Sequence, residues 1–70
     1  MMVTINGEKR DCEATNLAEL WRKETAALDI GEPRGFAISL NGVVVRRANW
    51  TTTALRDGDA IEIVRAVPGG

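Results

Sequence analysis

The part of this sequence most suited to chemistry is its carboxyl end, which reads Val67-Pro68-Gly69-Gly70. Glycine brings no side chain to pack and loses more backbone entropy on ordering than any other residue, so two glycines are a poor end for a folded domain. A chain end without side chains can instead enter a narrow channel in another protein and deliver the Gly70 carboxylate. A carboxylate is a poor acyl donor until it is activated, so a partner enzyme must activate the Gly70 carboxylate. Simple fraying is the alternative interpretation, since chain termini are often disordered.

The residue types absent from the chain argue against a catalyst that works alone. The 70 residues include no histidine and no tyrosine, one serine (Ser39) and one cysteine (Cys12). Without histidine, neither a Ser-His-Asp nor a Cys-His arrangement is possible. One cysteine excludes an internal disulfide and cannot form a metal site alone. We therefore expect no catalytic residues, no metal and no bound cofactor.

Charge and hydropathy exclude further classes of protein. The formal net charge is -1, from 9 basic and 10 acidic residues, whereas nucleic-acid-binding proteins show a basic excess. No apolar run approaches the roughly 18 residues of a membrane-spanning helix. The amino-terminal segment also lacks the layout of a signal peptide. We expect a cytoplasmic protein of one domain with neither nucleic acid nor membrane as its partner.

Two Asn-Gly pairs predict two β-hairpins, because a type I′ turn needs two residues that tolerate positive φ. The first pair, Asn6-Gly7, separates an alternating strand over residues 3–5 from a polar return strand over about residues 8–12. The second, Asn41-Gly42, lies within residues 36–46. Alternation in this hairpin predicts one apolar face made of Phe36, Ile38, Leu40, Val43 and Val45.

A helix is predicted between the hairpins. Asn16 is positioned to cap its amino end, and Glu19 is positioned to reach back as in a capping box. Gly31 and Pro33 are stop signals. The apolar face of this helix recurs at helical spacing and comprises Leu17, Leu20, Trp21 and Leu28.

The second half of the chain contains a long connection and a final strand. Trp50 lies in the connection, and we expect it to plug one end of the sheet rather than lie exposed. The motif Arg56-Asp57-Gly58-Asp59 predicts a turn. The β-branched run that follows, "AIEIVRAV" (residues 60–67), is expected to form a central strand of the sheet, with Ile61 and Ile63 pointing inward.

One face of the predicted sheet is expected to be free of the helix and to bind partners. Val44 and Val64 lie there by alternation, and the charged residues around them are Arg46, Glu62 and Arg65. An apolar centre with a charged rim is typical of interfaces. The alternative is a solvated sheet face that carries isolated valines, which is normal for soluble proteins.

The order strand, strand, helix, strand, strand, strand predicts an α+β fold: a mixed sheet of about five strands with one helix across one face. This is the order of the ubiquitin-like β-grasp. The predicted domain covers residues 1–67, and residues 68–70 form the tail. The resemblance extends to motifs over nearly the whole chain, which is similar to the ThiS family of bacterial sulfur carriers of thiamine biosynthesis. The motifs are "MVTINGE", "LAEL", "AISLNGVVV", Trp50, "TALRDGDAIEIVRAV" and the terminal "GG".

The resemblance implies a carrier that is not itself an enzyme. It implies that a partner related to ubiquitin-activating enzymes uses ATP to adenylate the carboxylate of Gly70. Sulfur supplied through a cysteine desulfurase then displaces AMP and leaves a thiocarboxylate, a 1-thioglycine at position 70, from which thiazole synthase takes the sulfur. Gly69 is the slender neighbour of this covalent site.

Two other functions stay open at this point. The motifs "LNG", "LRDGD" and "GG" also occur in the sulfur carrier that is the small subunit of molybdopterin synthase. Pro68 stands where many ThiS members have glycine or a small polar residue, and proline near the tail is familiar in the molybdopterin branch. The other open alternative is a β-grasp protein that modifies other proteins or acts only as a binding module.

Overall fold

The computed structural model describes residues 1–26 and 35–65 of the chain. Within them, the elements follow the order predicted from the sequence, with the addition of a 3₁₀ helix in the long connection. They are β1 (Met2–Ile5), β2 (Glu8–Asp11), α1 (Leu17–Thr25), β3 (Phe36–Leu40), β4 (Val43–Val45), the 3₁₀ helix (Arg47–Thr52) and β5 (Ala60–Arg65).

The five strands form one mixed sheet in the order β2-β1-β5-β3-β4. The two hairpins, β1–β2 and β3–β4, are antiparallel. β5 lies between them, parallel to β1 and antiparallel to β3. The central position predicted for the last strand is therefore confirmed. This mixed sheet, with one α-helix in the described part of the chain, is the ubiquitin-like β-grasp fold.

Both predicted Asn-Gly turns are present. Asn6 and Asn41 have φ values of 50° and 51°, and Gly7 and Gly42 follow at 85° and 87°. Two successive residues with positive φ are what a type I′ hairpin turn requires. The return strand of the first hairpin is one residue shorter than predicted, since β2 ends at Asp11.

The helix begins as the sequence indicates, with one correction to its cap. The side-chain oxygen of Asn16 accepts a hydrogen bond from the backbone N–H of Glu19 over 2.8 Å. Glu19 does not complete a capping box with Asn16; its carboxylate accepts instead from the backbone N–H and the hydroxyl of Thr15, at 3.0 and 2.8 Å. The predicted apolar residue Leu28 and the stop signals Gly31 and Pro33 lie outside the described residues.

The hydrophobic core lies between α1 and one face of the sheet. Trp21 of α1 contacts Phe36 and Trp50, with ring centroids 5.0 and 5.6 Å apart. Trp50 is only 4% exposed, and its indole N–H donates to the backbone oxygen of Val45 over 2.9 Å. Trp50 is therefore buried and not exposed, in agreement with that part of the prediction. Among the described residues, the buried side chains are hydrophobic: Val3, Ile5, Cys12, Ala14, Leu17, Leu20, Trp21, Ile38, Trp50, Leu55 and Ile61.

The described helices are short. None in residues 1–26 or 35–65 has the length and apolar character needed to cross a membrane.

Candidate functional site

The candidate site begins at β5, the strand that leads towards the carboxyl end. The side chains of both turn asparagines bond to it. Asn6 accepts from the backbone N–H of Ile63 at 2.8 Å, and Asn41 accepts from that of Ala60 at 2.9 Å. These amide oxygens extend the hydrogen bonding of the sheet beyond the ends of β1 and β3. β5 is therefore hydrogen-bonded to an asparagine side chain on each of its two edges.

The predicted tail lies beyond this strand. β5 is described as far as Arg65. Pro68, Gly69 and Gly70 lie outside the described residues, so their roles in the covalent chemistry remain predictions.

The strand register brings three of the predicted partner-binding residues together on the face of the sheet opposite α1, which we call the outer face. Ser39 lies opposite Val44 on one side and opposite Glu62 on the other. Val64 lies two residues further along β5, on the same face as Glu62 and opposite Ala37. Val44 is 68% exposed and Val64 is 50% exposed, so both present apolar surface to solvent.

Arg46 extends this surface at its rim. It directly follows β4, is exposed and has an extended backbone, with φ -62° and ψ 143°. Alternation of side chains along an extended backbone places Arg46 on the same face as Val44. The outer face therefore carries one exposed valine on the edge strand β4 and another on the central strand β5, with charges of both signs on the same face.

The predicted position of Arg65 on the outer face is wrong. Arg65 lies opposite Phe36 in the sheet, and its guanidinium carbon is 5.7 Å from the centroid of the Phe36 ring. That distance is within the range of a cation–π contact. The sequence contained the signal, because strand alternation groups Arg65 with the inward-facing residues Ile61 and Ile63.

Val43 lies on the face predicted for it but is not part of the core. It pairs with Leu40 on the α1 side of the sheet, yet it is 67% exposed because it stands next to the turn on an edge strand. Val43 and Val44 are therefore neighbouring valines of nearly equal exposure that point to opposite faces.

The predicted Arg56–Asp59 turn has structural contacts that the sequence did not reveal. The Asp57 carboxylate accepts from the backbone N–H of Met2 at 2.7 Å. The Asp59 carboxylate accepts from the backbone N–H of Arg56 at 2.8 Å and from the side-chain amide of Asn41 at 3.0 Å. Two acidic side chains thus connect this turn to β1 and to the second hairpin turn, and both have a structural role.

Cys12 is a structural residue within the described chain. It is a free thiol buried in the core, immediately after β2. Its backbone N–H donates to the backbone oxygen of Met1 at 2.8 Å.

Comparisons with known proteins agree with this fold. The model of the ThiS family matches residues 3–70. A crystal structure of the thiamine biosynthesis protein ThiS from Geobacter metallireducens is 30% identical, with a TM-score of 0.77 and complete coverage of both chains. A solution structure of a thiamine biosynthesis protein from the same organism is also 30% identical, with a TM-score of 0.69, and the match covers all of this chain and 88% of that one. The comparison with curated proteins gives no match. The family match spans nearly the whole chain, including Gly69 and Gly70, and we conclude that the chain belongs to the ThiS family.

Proposed function

We propose that this protein is a sulfur carrier in thiamine biosynthesis and that the carboxylate of Gly70 is the group that carries the sulfur. The observation that supports this most directly is the ThiS-family match, which extends through the terminal glycines to residue 70. The two solved relatives are described as thiamine biosynthesis proteins, which favours the same pathway.

The proposed chemistry takes place on partner enzymes. On an adenylating enzyme, an oxygen of the Gly70 carboxylate attacks the α-phosphorus of ATP and pyrophosphate leaves, which gives an acyl-adenylate, a mixed anhydride with AMP as a good leaving group. Sulfur supplied through a cysteine desulfurase attacks the activated carbonyl, AMP leaves, and a thiocarboxylate remains at Gly70. Thiazole synthase then receives the sulfur. The chain acts as a covalent co-substrate, in keeping with its complete lack of histidine and tyrosine.

The length of the tail limits where a partner must bind. Gly70 is the fifth residue after Arg65, which is the last residue of β5. Five residues of fully extended chain span at most roughly 18 Å. The active site of each partner must therefore lie close to the surface that holds the carrier.

The outer face is the surface that we propose for this contact. Val44 and Val64 provide the apolar part. Arg46, which follows the edge strand β4, and Glu62, on the central strand β5, provide the charged groups. Val64 is next to Arg65 at the end of β5, so a partner bound here holds the base of the tail. Arg65 itself lies on the other face and would help only if a partner also reaches around the strand.

Pro68 favours a second candidate, the small subunit of molybdopterin synthase. A carrier of that kind forms a stable complex with a large synthase subunit. Copurification with such a subunit therefore distinguishes the molybdopterin function from the thiamine function. The ThiS-family match and the thiamine biosynthesis relatives favour the first.

Intact mass spectrometry tests the proposed function. The chain is incubated with ATP, a ThiS-family adenylating enzyme, a cysteine desulfurase and cysteine. We expect the mass increase that corresponds to exchange of one oxygen for sulfur, located at Gly70, and no increase in a variant that lacks Gly70. An unchanged mass with active partner enzymes would refute the proposal. Conjugates to lysine that survive thiol treatment would instead indicate a protein modifier.

A further inference from the structure

The two hairpin turns have the same sequence and nearly the same backbone but differ in how their asparagine side chains are held. Both asparagines are exposed. At Gly7 and Gly42 alike, no atom of residues 1–26 or 35–65, apart from those of the flanking residues, would lie within 4 Å of an added Cβ. Asn-Gly is the sequence most prone to spontaneous deamidation, because a glycine nitrogen is unhindered and can attack the preceding side-chain amide. The surroundings of the two glycines therefore do not distinguish the sites.

The reaction needs only water. At Asn6, the backbone nitrogen of Gly7 loses its proton and bonds to the side-chain carbon Cγ. The bond from Cγ to Nδ2 breaks, and Nδ2 leaves as ammonia, which gives a five-membered succinimide. Water then opens the ring at either carbonyl and produces aspartate or isoaspartate, so the net change is replacement of NH₂ by OH.

The contacts of Asn6 assist this reaction. Its Oδ1 accepts from the backbone N–H of Ile63 at 2.8 Å, and a donor at this position stabilises the negative charge that develops on the oxygen during attack. Within residues 1–26 and 35–65, no group accepts a hydrogen bond from its Nδ2. The nitrogen that must leave is therefore not held by the described part of the chain.

Asn41 has an equivalent donor but a restrained leaving group. Its Oδ1 accepts from the backbone N–H of Ala60 at 2.9 Å, while its Nδ2 donates to the Asp59 carboxylate at 3.0 Å. Asp59 is fixed in turn by the backbone N–H of Arg56. The amide is held at both ends and resists the rotation that attack requires. The negative charge of Asp59 also opposes loss of the Gly42 proton and the growth of charge on Oδ1.

We propose that Asn6 is the deamidation site of the folded protein and that Asp59 protects Asn41. The products at position 6 have different effects. Aspartate keeps an oxygen that can accept from Ile63 and adds one negative charge to a chain of net charge -1. Isoaspartate inserts a methylene into the backbone of the first turn and displaces the group that bonds to β5.

Tryptic peptide mapping of the aged full chain tests the proposal. Asn6 falls in the peptide of residues 1–9 and Asn41 in that of residues 35–46, so one digest reports both sites. After incubation in mildly alkaline buffer, we expect the first peptide to gain the deamidated mass several-fold faster than the second. In urea the two rates should converge, because both sites are then simple Asn-Gly pairs. Asn16 and Asn49, which precede leucine and tryptophan, are internal controls that should remain intact.

The variant Asp59→Ala tests the protective contact directly. It should raise the rate at Asn41 towards that at Asn6 and leave the Asn6 rate unchanged, with circular dichroism used to verify that the variant is folded. Equal rates at the two sites in the folded wild-type chain, or a faster rate at Asn41, would overturn the proposal whatever the variant does. A slow Asn41 in folded Asp59→Ala would remove Asp59 as the cause.

Discussion

The side-chain oxygen of Asn6 accepts a hydrogen bond from the backbone N–H of Ile63 over 2.8 Å. One residue therefore serves two purposes: its backbone adopts the positive φ of a hairpin turn, and its side chain bonds to the central strand. β1 ends at Ile5, so the amide oxygen of Asn6 acts where the strand has no further backbone carbonyl to offer. The strand that leads to the tail is secured by a residue distant from it in sequence.

This relationship predicts a loss of stability in the variant Asn6→Gly. Glycine adopts positive φ without strain but provides no acceptor for the N–H of Ile63. We expect the free energy of unfolding to fall by about 1 kcal/mol, which is the typical net contribution of one hydrogen bond. Urea denaturation of both proteins measures the change. An unchanged free energy of unfolding would show that water accepts the hydrogen bond from the N–H of Ile63 as well as the Asn6 side chain does.

Trp50 is expected to contribute strongly to stability, because it packs on Trp21 and bonds to Val45. Trp50→Ala should lower the free energy of unfolding by about 4 kcal/mol through cavity formation. Trp50→Phe should cost about half as much, since most of the packing is kept and the indole N–H is lost. Urea denaturation monitored by the fluorescence of Trp21 gives both values. An unchanged free energy of unfolding in Trp50→Ala would contradict the buried position of Trp50.

The cap of α1 depends on the Asn16 side chain, which accepts from the backbone N–H of Glu19. Asn16→Ala should reduce stability by about 1 kcal/mol, as is usual for loss of a capping side chain. Asn16→Asp is the matched control, because aspartate caps equally well and should retain most of the stability. Thermal unfolding of the three proteins provides the comparison, and equal losses in both variants would argue against the cap.

Glu19 makes stability depend on pH. The backbone N–H of Thr15, followed by its hydroxyl, donates to the carboxylate and lowers the pKa of Glu19 below its ordinary value of 4.5, with Lys23 and Arg22 adding to the effect. A lowered pKa in the folded state means that the ionised carboxylate stabilises the fold above the unfolded-state pKa. That contribution disappears as the pH falls through the folded-state pKa.

Glu19→Gln is therefore expected to be less stable than the wild type at neutral pH and to approach it in acid. Unfolding curves recorded for both proteins from neutral pH to below the pKa of Glu19 measure the difference. A gap of constant size at every pH would mean that the charge of Glu19 has no part in holding Thr15.

The outer face can be tested with two adjacent valines. Val44→Asp places a charge on the outer face, whereas Val43→Asp places one at nearly equal exposure, 67% against 68%, on the opposite face. We expect Val44→Asp to weaken binding to the adenylating enzyme about tenfold, or about 1.4 kcal/mol, and Val43→Asp to leave it nearly unchanged. Isothermal titration calorimetry measures both affinities. Equal effects of the two variants would exclude the outer face as the specific contact.

Local patterns in the sequence predicted the strands, the α-helix and most of their faces, although not the 3₁₀ helix at Arg47–Thr52. The Asn-Gly pairs predicted both turns, because few other residues tolerate two successive positive φ angles. The spacing of Leu17, Leu20 and Trp21 predicted the buried side of α1. Alternation along the last strand predicted the outward positions of Glu62 and Val64, and the same alternation, if extended by one more step, would have put Arg65 on the inner face.

The tertiary structure alone decided which distant groups meet. The sequence contained no sign that Asn6 bonds to Ile63, that Asn41 bonds to Asp59 or that Asp57 holds the amino end of β1. Such contacts depend on the order in which strands pair across the sheet, and hydrogen bonds between residues far apart in the chain leave no periodic pattern in it. The sequence therefore determined what each segment becomes, while the pairing of β5 between two hairpins determined which side chains support the base of the tail.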